Sequence, residues 1–443
     1  MDKAPVVGLQ TDTRQTAPVS GYSWAVLLIL AAVNSVNYMD RWVMSVLIEP
    51  IKHDFGLSDT QLGLLTGLAF SLGYALMALP IARVSDSGSR RNVLIGAITM
   101  WSVMTAMMGM AQSYWHLLLA RIGVGIGEAG CIPTGQSLIS DYFPRDRRAF
   151  ALSVFSAGSM LGKVLGIGGA GFLLGRIGWH STLLAMAVPG LFMALIVRLV
   201  VREPVRGRFD VAPQTASEGP FATIRTLLRI PSYGLIVCGL ATSNLVIFGV
   251  QNWSPAFYMR VHGLSPLQVG AAIATVVGVG SAVGLLAGGY VMQGLMRRNP
   301  CWALRVGCGT QAVAGLCSVA SFLVGSPSVS LAAFAATSII VNLSSGGIIA
   351  AKLDIVDPRA RSMAAAFSMM VVSLIGLGLG PLFVGALSDL FNAGGDGPQA
   401  LRRALVLTAA LNGIPAILYL AASRTLARDV AARHGAATTE TRA

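Results

Sequence analysis

Ala82-Arg83-Val84-Ser85-Asp86-Ser87-Gly88-Ser89-Arg90-Arg91 is matched 207 positions later by Gly289-Tyr290-Val291-Met292-Gln293-Gly294-Leu295-Met296-Arg297-Arg298. Each stretch separates two long apolar runs. In register, both begin with a small residue, carry a polar residue four on (Asp86, Gln293) and end in a basic pair. Each follows the second long apolar run of its half. The chain therefore reads as two similar halves laid end to end, each crossing a membrane several times. Such parallel halves can rock about a site at their interface.

The composition supports this. The chain has 443 residues, 54% hydrophobic and only 12% charged, with mean hydropathy +0.68; a soluble domain carries about 25% charged residues. A helical span needs about 20 apolar residues to cross roughly 30 Å of hydrocarbon. Twelve are predicted, at 23–47, 60–84, 92–112, 115–140, 149–175, 181–201, 232–258, 266–293, 302–325, 329–352, 362–388 and 400–423. No ten-residue polar–apolar alternation suggests a β-barrel. The 51 glycines suit close helix contact in lipid.

The net charge of +13 is informative through its placement. With the amino terminus inside, 24 of the 32 Lys and Arg fall on the inner side and five (Lys52, Arg176, Arg260, Arg402, Arg403) on the outer. This asymmetry predicts both termini cytoplasmic. It also accounts for the basic character without nucleic acid, for which there is no soluble basic domain; contact with anionic membrane lipids is expected along the inner face. The first apolar run reads as a retained span rather than a cleaved signal. The five cysteines lie in or beside apolar runs at spacings that fit neither zinc nor a disulfide framework.

These readings predict an all-α membrane protein of two pseudo-symmetric six-helix bundles. The tail is 1–22, the first bundle 23–201, a cytoplasmic linker 202–231, the second bundle 232–424 and the end tail 425–443. Phe221–Arg229 alternates apolar and basic residues and is predicted to be a short surface helix. A second repeat supports the division. Asp141-Tyr142-Phe143-Pro144-Arg145 follows span four, and Asp354-Ile355-Val356-Asp357-Pro358-Arg359 follows span ten. Asp at a helix carboxyl end opposes the helix dipole and calls for a cationic partner. Asp86, Arg90, Arg91, Asp141 and Arg145 are therefore expected to form a charge lock on the cytoplasmic face, made when the inside is closed and broken when it opens. Simple anchoring by positive charge would produce the same loop composition.

Ionisable groups within spans are costly and are functional candidates by default. Deep within the spans they are Asp40, Arg41, Arg121, Glu128 and Lys163, all in the first half; the second half has none at comparable depth. Asn34, Asn37, Asp40 and Arg41 share one helical face, as do Arg121 and Glu128. Pairing of Asp40 with Arg121 or of Arg41 with Glu128 is geometrically open. Asp40 and Glu128, with Arg41 and Arg121 as partners, are expected to respond to protons, because burial favours a neutral carboxyl and a nearby arginine favours the charged one. Cations outnumber acids by one, which predicts an anionic ligand. Asn34, Asn37, Arg41, Arg121 and Lys163 would supply one wall of its site; Asn244, Phe248, Gln251, Asn342 and Phe367 would supply a second wall, amide-bearing and apolar. Packing alone would account for any one of these aromatics. The run Gly376-Leu377-Gly378-Leu379-Gly380-Pro381 predicts a bend or a close contact in span eleven.

These motifs resemble those of the major facilitator superfamily over nearly the whole chain. Its loop pattern Gly-x-x-x-Asp-Arg-x-Gly-Arg-Arg is met at Asp86, Arg90 and Arg91, with Ala82, Ser87 and Ser89 as departures. Its span-four pattern is present as Arg121, Gly125 and Gly127. Its span-five glycines are Gly158, Gly162 and Gly166, with Lys163 where antiporters usually have proline. Asn37-Tyr38-Met39-Asp40-Arg41, Gly125-Ile126-Gly127-Glu128-Ala129 and Gly178-Trp179-His180 resemble the spinster family. The resemblance implies a secondary transporter of the bacterial inner membrane, working as a monomer by alternating access, with protons and an amphipathic anionic lipid, such as a lysolipid or sphingoid phosphate, as its partners. A drug–proton antiporter and a small organic-anion–proton symporter remain as alternatives. No cofactor, metal or enzymatic activity is expected: no ligand spacing, nucleophile set or phosphate loop is present.

Overall fold

A computed structural model describes residues 19–440, except 208, 210–219, 300, 358, 359, 393 and 394. The tail before residue 19, the linker residues 210–219, Arg359 and the side chains of Arg145 and of residues beyond 429 lie outside this description. All regular structure among the described residues is helical.

Eleven helices are long and apolar enough to cross a membrane. They are α1 (Gly21–Phe55), α2 (Asp59–Ser87), α3 (Arg90–Gly109), α4 (Tyr114–Tyr142), a double-length helix, α7 (Pro231–His262), α8 (Pro266–Arg298), α9 (Trp302–Leu323), α10 (Pro327–Asp354), α11 (Met363–Phe391) and α12 (Gly397–Asp429). The double helix, Arg145–Val200, has 56 residues and leaves helical geometry at Gly178, φ 73° and ψ 171°. Unbroken it would span roughly 84 Å, far more than the hydrocarbon layer of about 30 Å. It therefore makes two passes, α5 (145–177) and α6 (179–200). Glycine takes the left-handed φ of this turn without a steric penalty. The result is twelve passes among the described residues, in two bundles of six. A nine-residue helix, Pro220–Leu228, lies between the bundles.

Several helices outrun their apolar stretches. The run in α1 fades after Leu47, yet the helix continues through Glu49, Pro50 and Lys52 to a left-handed Gly56, whose N–H bonds back to the Lys52 carbonyl. Hydropathy locates the membrane, whereas the cap locates the helix end.

The two halves repeat one another in detail. Gly56-Leu57-Ser58-Asp59-Thr60-Gln61 and Gly263-Leu264-Ser265-Pro266-Leu267-Gln268 are also 207 positions apart. In each, the glycine ends a helix with positive φ, and the serine and glutamine form a reciprocal capping box that starts the next. α4 breaks at Ala129-Gly130 and α10 at Ser344. α2 and α11 each contain a π-helical segment, Leu64–Leu68 and Ser373–Leu379. These segments meet across the halves: a Cβ on Gly67 would collide with the Gly378 carbonyl.

Within the first half, α1 and α5 pack backbone to backbone. Gly158, Gly162 and Gly166 form a stripe against the carbonyls of Ala31, Ser35 and Met39, and a Cβ at any of the three would overlap that oxygen. Small residues permit such close approach, which drives helix association in lipid. The face that carries the start of α1 and the end of α12 is called the terminal face below, and the opposite one the distal face.

Candidate functional site

A charged cluster lies wholly inside the first half. Arg41 on α1 donates from Nη2 and Nε to Glu128 Oε2 on α4, at 2.8 and 3.1 Å. The guanidinium is wrapped by the rings of Tyr38, Phe70 and Tyr74, at 4.8, 5.0 and 5.5 Å. Arg121 also faces the Phe70 ring and donates to the Arg41 carbonyl at 3.4 Å. Asp40 accepts from Thr105 Oγ1 on α3 at 3.0 Å. Asp40, Glu128 and Arg121 are 1%, 0% and 2% exposed. Of the two pairings open in the sequence, Arg41–Glu128 is formed; Asp40 and Arg121 make no ion pair within 4 Å among the described residues. Asp40 Oδ1 and Glu128 Oε1 have no protein hydrogen-bond partner there. Two acids and two arginines thus share a site buried from bulk solvent, where charges need partners.

Beside this cluster a cavity of about 350 Å³ separates the halves. The first half contributes Tyr38, Trp42, Ser159 and Lys163; the second contributes Asn244, Phe248, Gln251, Gln311 and Asn342. Tyr38 belongs to both places, since its ring lies on Arg41 and also lines the cavity. At one end the two walls touch. Lys163 Nζ donates to Gln251 Oε1 at 2.5 Å and lies 4.1 Å from the Trp42 ring centroid. Trp42 stacks on Phe248, centroids 6.0 Å apart.

The expected site residues are therefore divided. Lys163, Asn244, Phe248, Gln251 and Asn342 line the cavity. Arg121 and Asn37 are buried in or beside the charged cluster, and Arg41 is partly buried within it. Asn34 donates to the Phe155 carbonyl at 2.8 Å and joins α1 to α5. Phe367 packs into a separate apolar cluster around Tyr233 and Ile236.

On the terminal face, Arg90 pairs with Asp141 and with Glu203, the latter at 2.9 Å. Glu203 also accepts from Ser89 Oγ and the Arg91 N–H, at 2.9 and 2.8 Å, and so caps the start of α3. These hydrogen bonds outweigh the opposing effect of partial burial and hold the Glu203 carboxyl below the usual glutamate range. The Arg91 guanidinium donates to the Arg198 carbonyl. Arg206 donates to the carbonyls of Ser85, Asp86 and Gly88 and closes the end of α2. The Asp86 carboxylate makes no ion pair among the described residues. Linker residues thus clamp both helix ends at the quoted loop, a role their sequence did not announce.

The distal face holds a second cluster that sequence reasoning missed. Arg260 of α7 bonds Asp59 of α2 and Glu49 of α1, both from the other half. Asp389 of α11 accepts from the backbone N–H groups of Asp59 and Thr60, at 3.0 and 2.7 Å, and so caps α2 from across the interface.

Two six-helix bundles around a shared cavity define a multi-pass membrane transporter. The chain belongs to the Major Facilitator Superfamily, whose sequence model matches residues 30–381. It is similar to an MFS-type efflux pump of Mycolicibacterium smegmatis, 35% identical over 409 residues that cover 92% of this chain and 94% of that one. It is similar to human protein spinster homolog 1, 30% identical over 413 residues, 86% of this chain and 75% of that one. Among solved structures it resembles a bacterial homolog of the human lysosomal transporter Spinster in an inward-facing, unoccupied conformation: TM-score 0.85, 30% identity, covering 93% of this chain and 99% of that one.

Proposed function

We propose that the chain is a proton-coupled secondary transporter that moves an amphipathic anionic lipid, such as a lysolipid or sphingoid phosphate, by alternating access. It resides in the bacterial inner membrane as a monomer, with both termini cytoplasmic in accord with the Lys and Arg distribution. The observation that carries the reading is the cavity itself, with one cation, Lys163, on one wall and a mixed apolar and amide wall opposite. A charged headgroup with an acyl tail needs both. The likeness to spinster proteins supports the reading as a transporter, and the lipid class is the one that the spinster-like motifs of the sequence imply.

Coupling is assigned to Asp40 and Glu128. Each has one carboxylate oxygen without a protein partner, and each sits beside an arginine that would favour its charged form. Protonation of Glu128 releases Arg41, whose guanidinium lies on Tyr38 at the cavity edge. A proton in the cluster thereby alters the wall that substrate meets. Asp86, Arg90, Arg91, Asp141 and Arg145, expected as a cytoplasmic gate that breaks on opening, are proposed instead to brace the cytoplasmic end of the first half: the joined distal face supports reading this state as inward-open, and Arg90 and Asp141, both in the first half, are paired in it. The test is uptake of a labelled anionic lysolipid into proteoliposomes, with and without a pH gradient, for the wild type and Asp40→Asn.

A second reading follows from the similarity to an efflux pump. The same cavity would then carry amphipathic drugs outward. Broad resistance on overexpression, with no movement of lysolipid by the purified protein, favours that reading.

A further inference from the structure

Lys163 differs from the other two cations placed deep within the spans of the first half. Arg41 is committed to Glu128, and neither Arg41 nor Arg121 lines the cavity. Lys163 does, and among the described residues it makes no ion pair. Its partners are neutral: the Gln251 carbonyl oxygen and the Trp42 ring. Gln251 belongs to α7, in the opposite half. On α1, α5 and α7, the residues Trp42, Lys163 and Gln251 are the cavity-lining positions nearest the distal face. The contact is thus a bridge between halves at the closed end of the cavity.

A hydrogen bond from an ammonium to a neutral amide is weaker than one to an anionic oxygen, by roughly a factor of two. A phosphate or carboxylate that reaches Lys163 therefore displaces Gln251. From this we infer that Lys163 reads the charge of the substrate headgroup, with Gln251 as its stand-in while the cavity is empty. When the anion takes Lys163, the α5–α7 bridge is lost, so recognition of charge and loosening of the closed end are one event. The inference rests on the cavity being the substrate site, and it fixes the selecting chemistry as a terminal anionic oxygen on a single-chain amphiphile.

The experiment uses full-length protein in nanodiscs, titrated with dodecyl phosphate and with the uncharged 1-O-dodecylglycerol, read by tryptophan fluorescence because Trp42 lies against Lys163. Wild type is expected to bind the phosphate at least about tenfold more tightly. Lys163→Gln retains a donor for Gln251 without the charge. It should lose that preference while still binding dodecylglycerol, which also shows that it is folded. Gln251→Glu leaves Lys163 in place but gives it a permanent anionic partner, and should weaken phosphate binding by a similar factor. Absence of a preference in wild type, or a preference that survives in both variants, overturns the inference. Should Lys163→Gln fail to fold, Gln251→Glu decides. Charge selection through Lys163 in a protein that moves no lysolipid would retain this inference and remove the lipid reading. Lysolipid transport without charge selection would do the reverse.

Discussion

Arg260 and Asp59 meet across the two halves as a two-point ion pair, Nη1 to Oδ2 at 2.7 Å and Nη2 to Oδ1 at 2.8 Å. The same guanidinium donates from Nε to Glu49 Oε1 at 2.5 Å. Truncating one partner of such a buried, hydrogen-bonded pair costs about 2–5 kcal/mol. That is enough to shift a two-state population by one to several orders of magnitude. In Arg260→Ala the distal face should open. Spin labels at His53 and Leu267, both exposed near that face, should report longer distances in the variant. Arg260→Lys, a point charge without the planar fork, should fall between. An unchanged distance distribution would show that the pair does not hold the halves together.

The Arg41–Glu128 pair makes a separate prediction. Arg41→Ala leaves a fully buried carboxylate without its cation, a loss of about 3–5 kcal/mol. Glu128→Gln in the same chain should restore much of this, since the neutral amide no longer needs the arginine. Thermal unfolding of the two single variants and the double variant measures the coupling. Strictly additive losses would mean that the pair contributes no mutual stabilisation.

The α1–α5 contact is the most sensitive apolar feature. At Gly162 an added Cβ meets the Ser35 carbonyl, which is backbone and has no rotamer by which to retreat. Gly162→Ala should lower the melting temperature more than Gly175→Ala, a position with nothing within 4 Å. Overpacking of this kind costs about 1–3 kcal/mol. Equal melting temperatures for the two would contradict the packing described.

Glu203 gives the pH dependence on the terminal face. Its carboxyl is held below the usual glutamate range, chiefly by hydrogen bonds from the Arg91 N–H, Arg90 and Ser89. A carboxyl depressed in the folded state stabilises it fully above its unfolded pKa, about 4.3, and loses that contribution as pH falls through the lower folded value. Melting temperature should thus decline on acidification through this window. The decline should be shallower in Glu203→Gln, which should also be less stable at neutral pH. Parallel pH profiles for the two proteins would remove Glu203 from the account.

Much of the fold was legible in the apolar runs because the membrane imposes a length on them. The glycine stripe of α5 and the shared face of Arg121 and Glu128 were legible for a related reason: helical spacing fixes which residues lie together on one helix. Spacing does not say which neighbour covers that face. Asn34 shares the stripe of Asp40 and Arg41, yet its amide meets α5 instead of the cavity. Arg260 read as one of five outer-side cations, and nothing in local periodicity links it to Asp59, 201 positions away. The Gly-Leu-Ser-x-x-Gln repeat at Gly56 and Gly263 was present in the letters, but it falls between spans, where hydropathy carries no signal. Glu203 and Arg206 lie in a linker whose composition marks it only as polar; their capping of α3 and α2 emerges from the folded geometry alone.

In the proposed mechanism, protonation of the Asp40–Glu128 cluster drives movement of an anionic lipid through the cavity beside it. Uptake of a labelled sphingoid phosphate or anionic lysolipid into proteoliposomes, with and without an imposed pH gradient, tests it most directly. The account requires gradient-stimulated uptake in wild type and loss of that stimulation in Asp40→Asn. Stimulation that persists in the variant, or a protein that moves no lipid while transporting another solute, would contradict it.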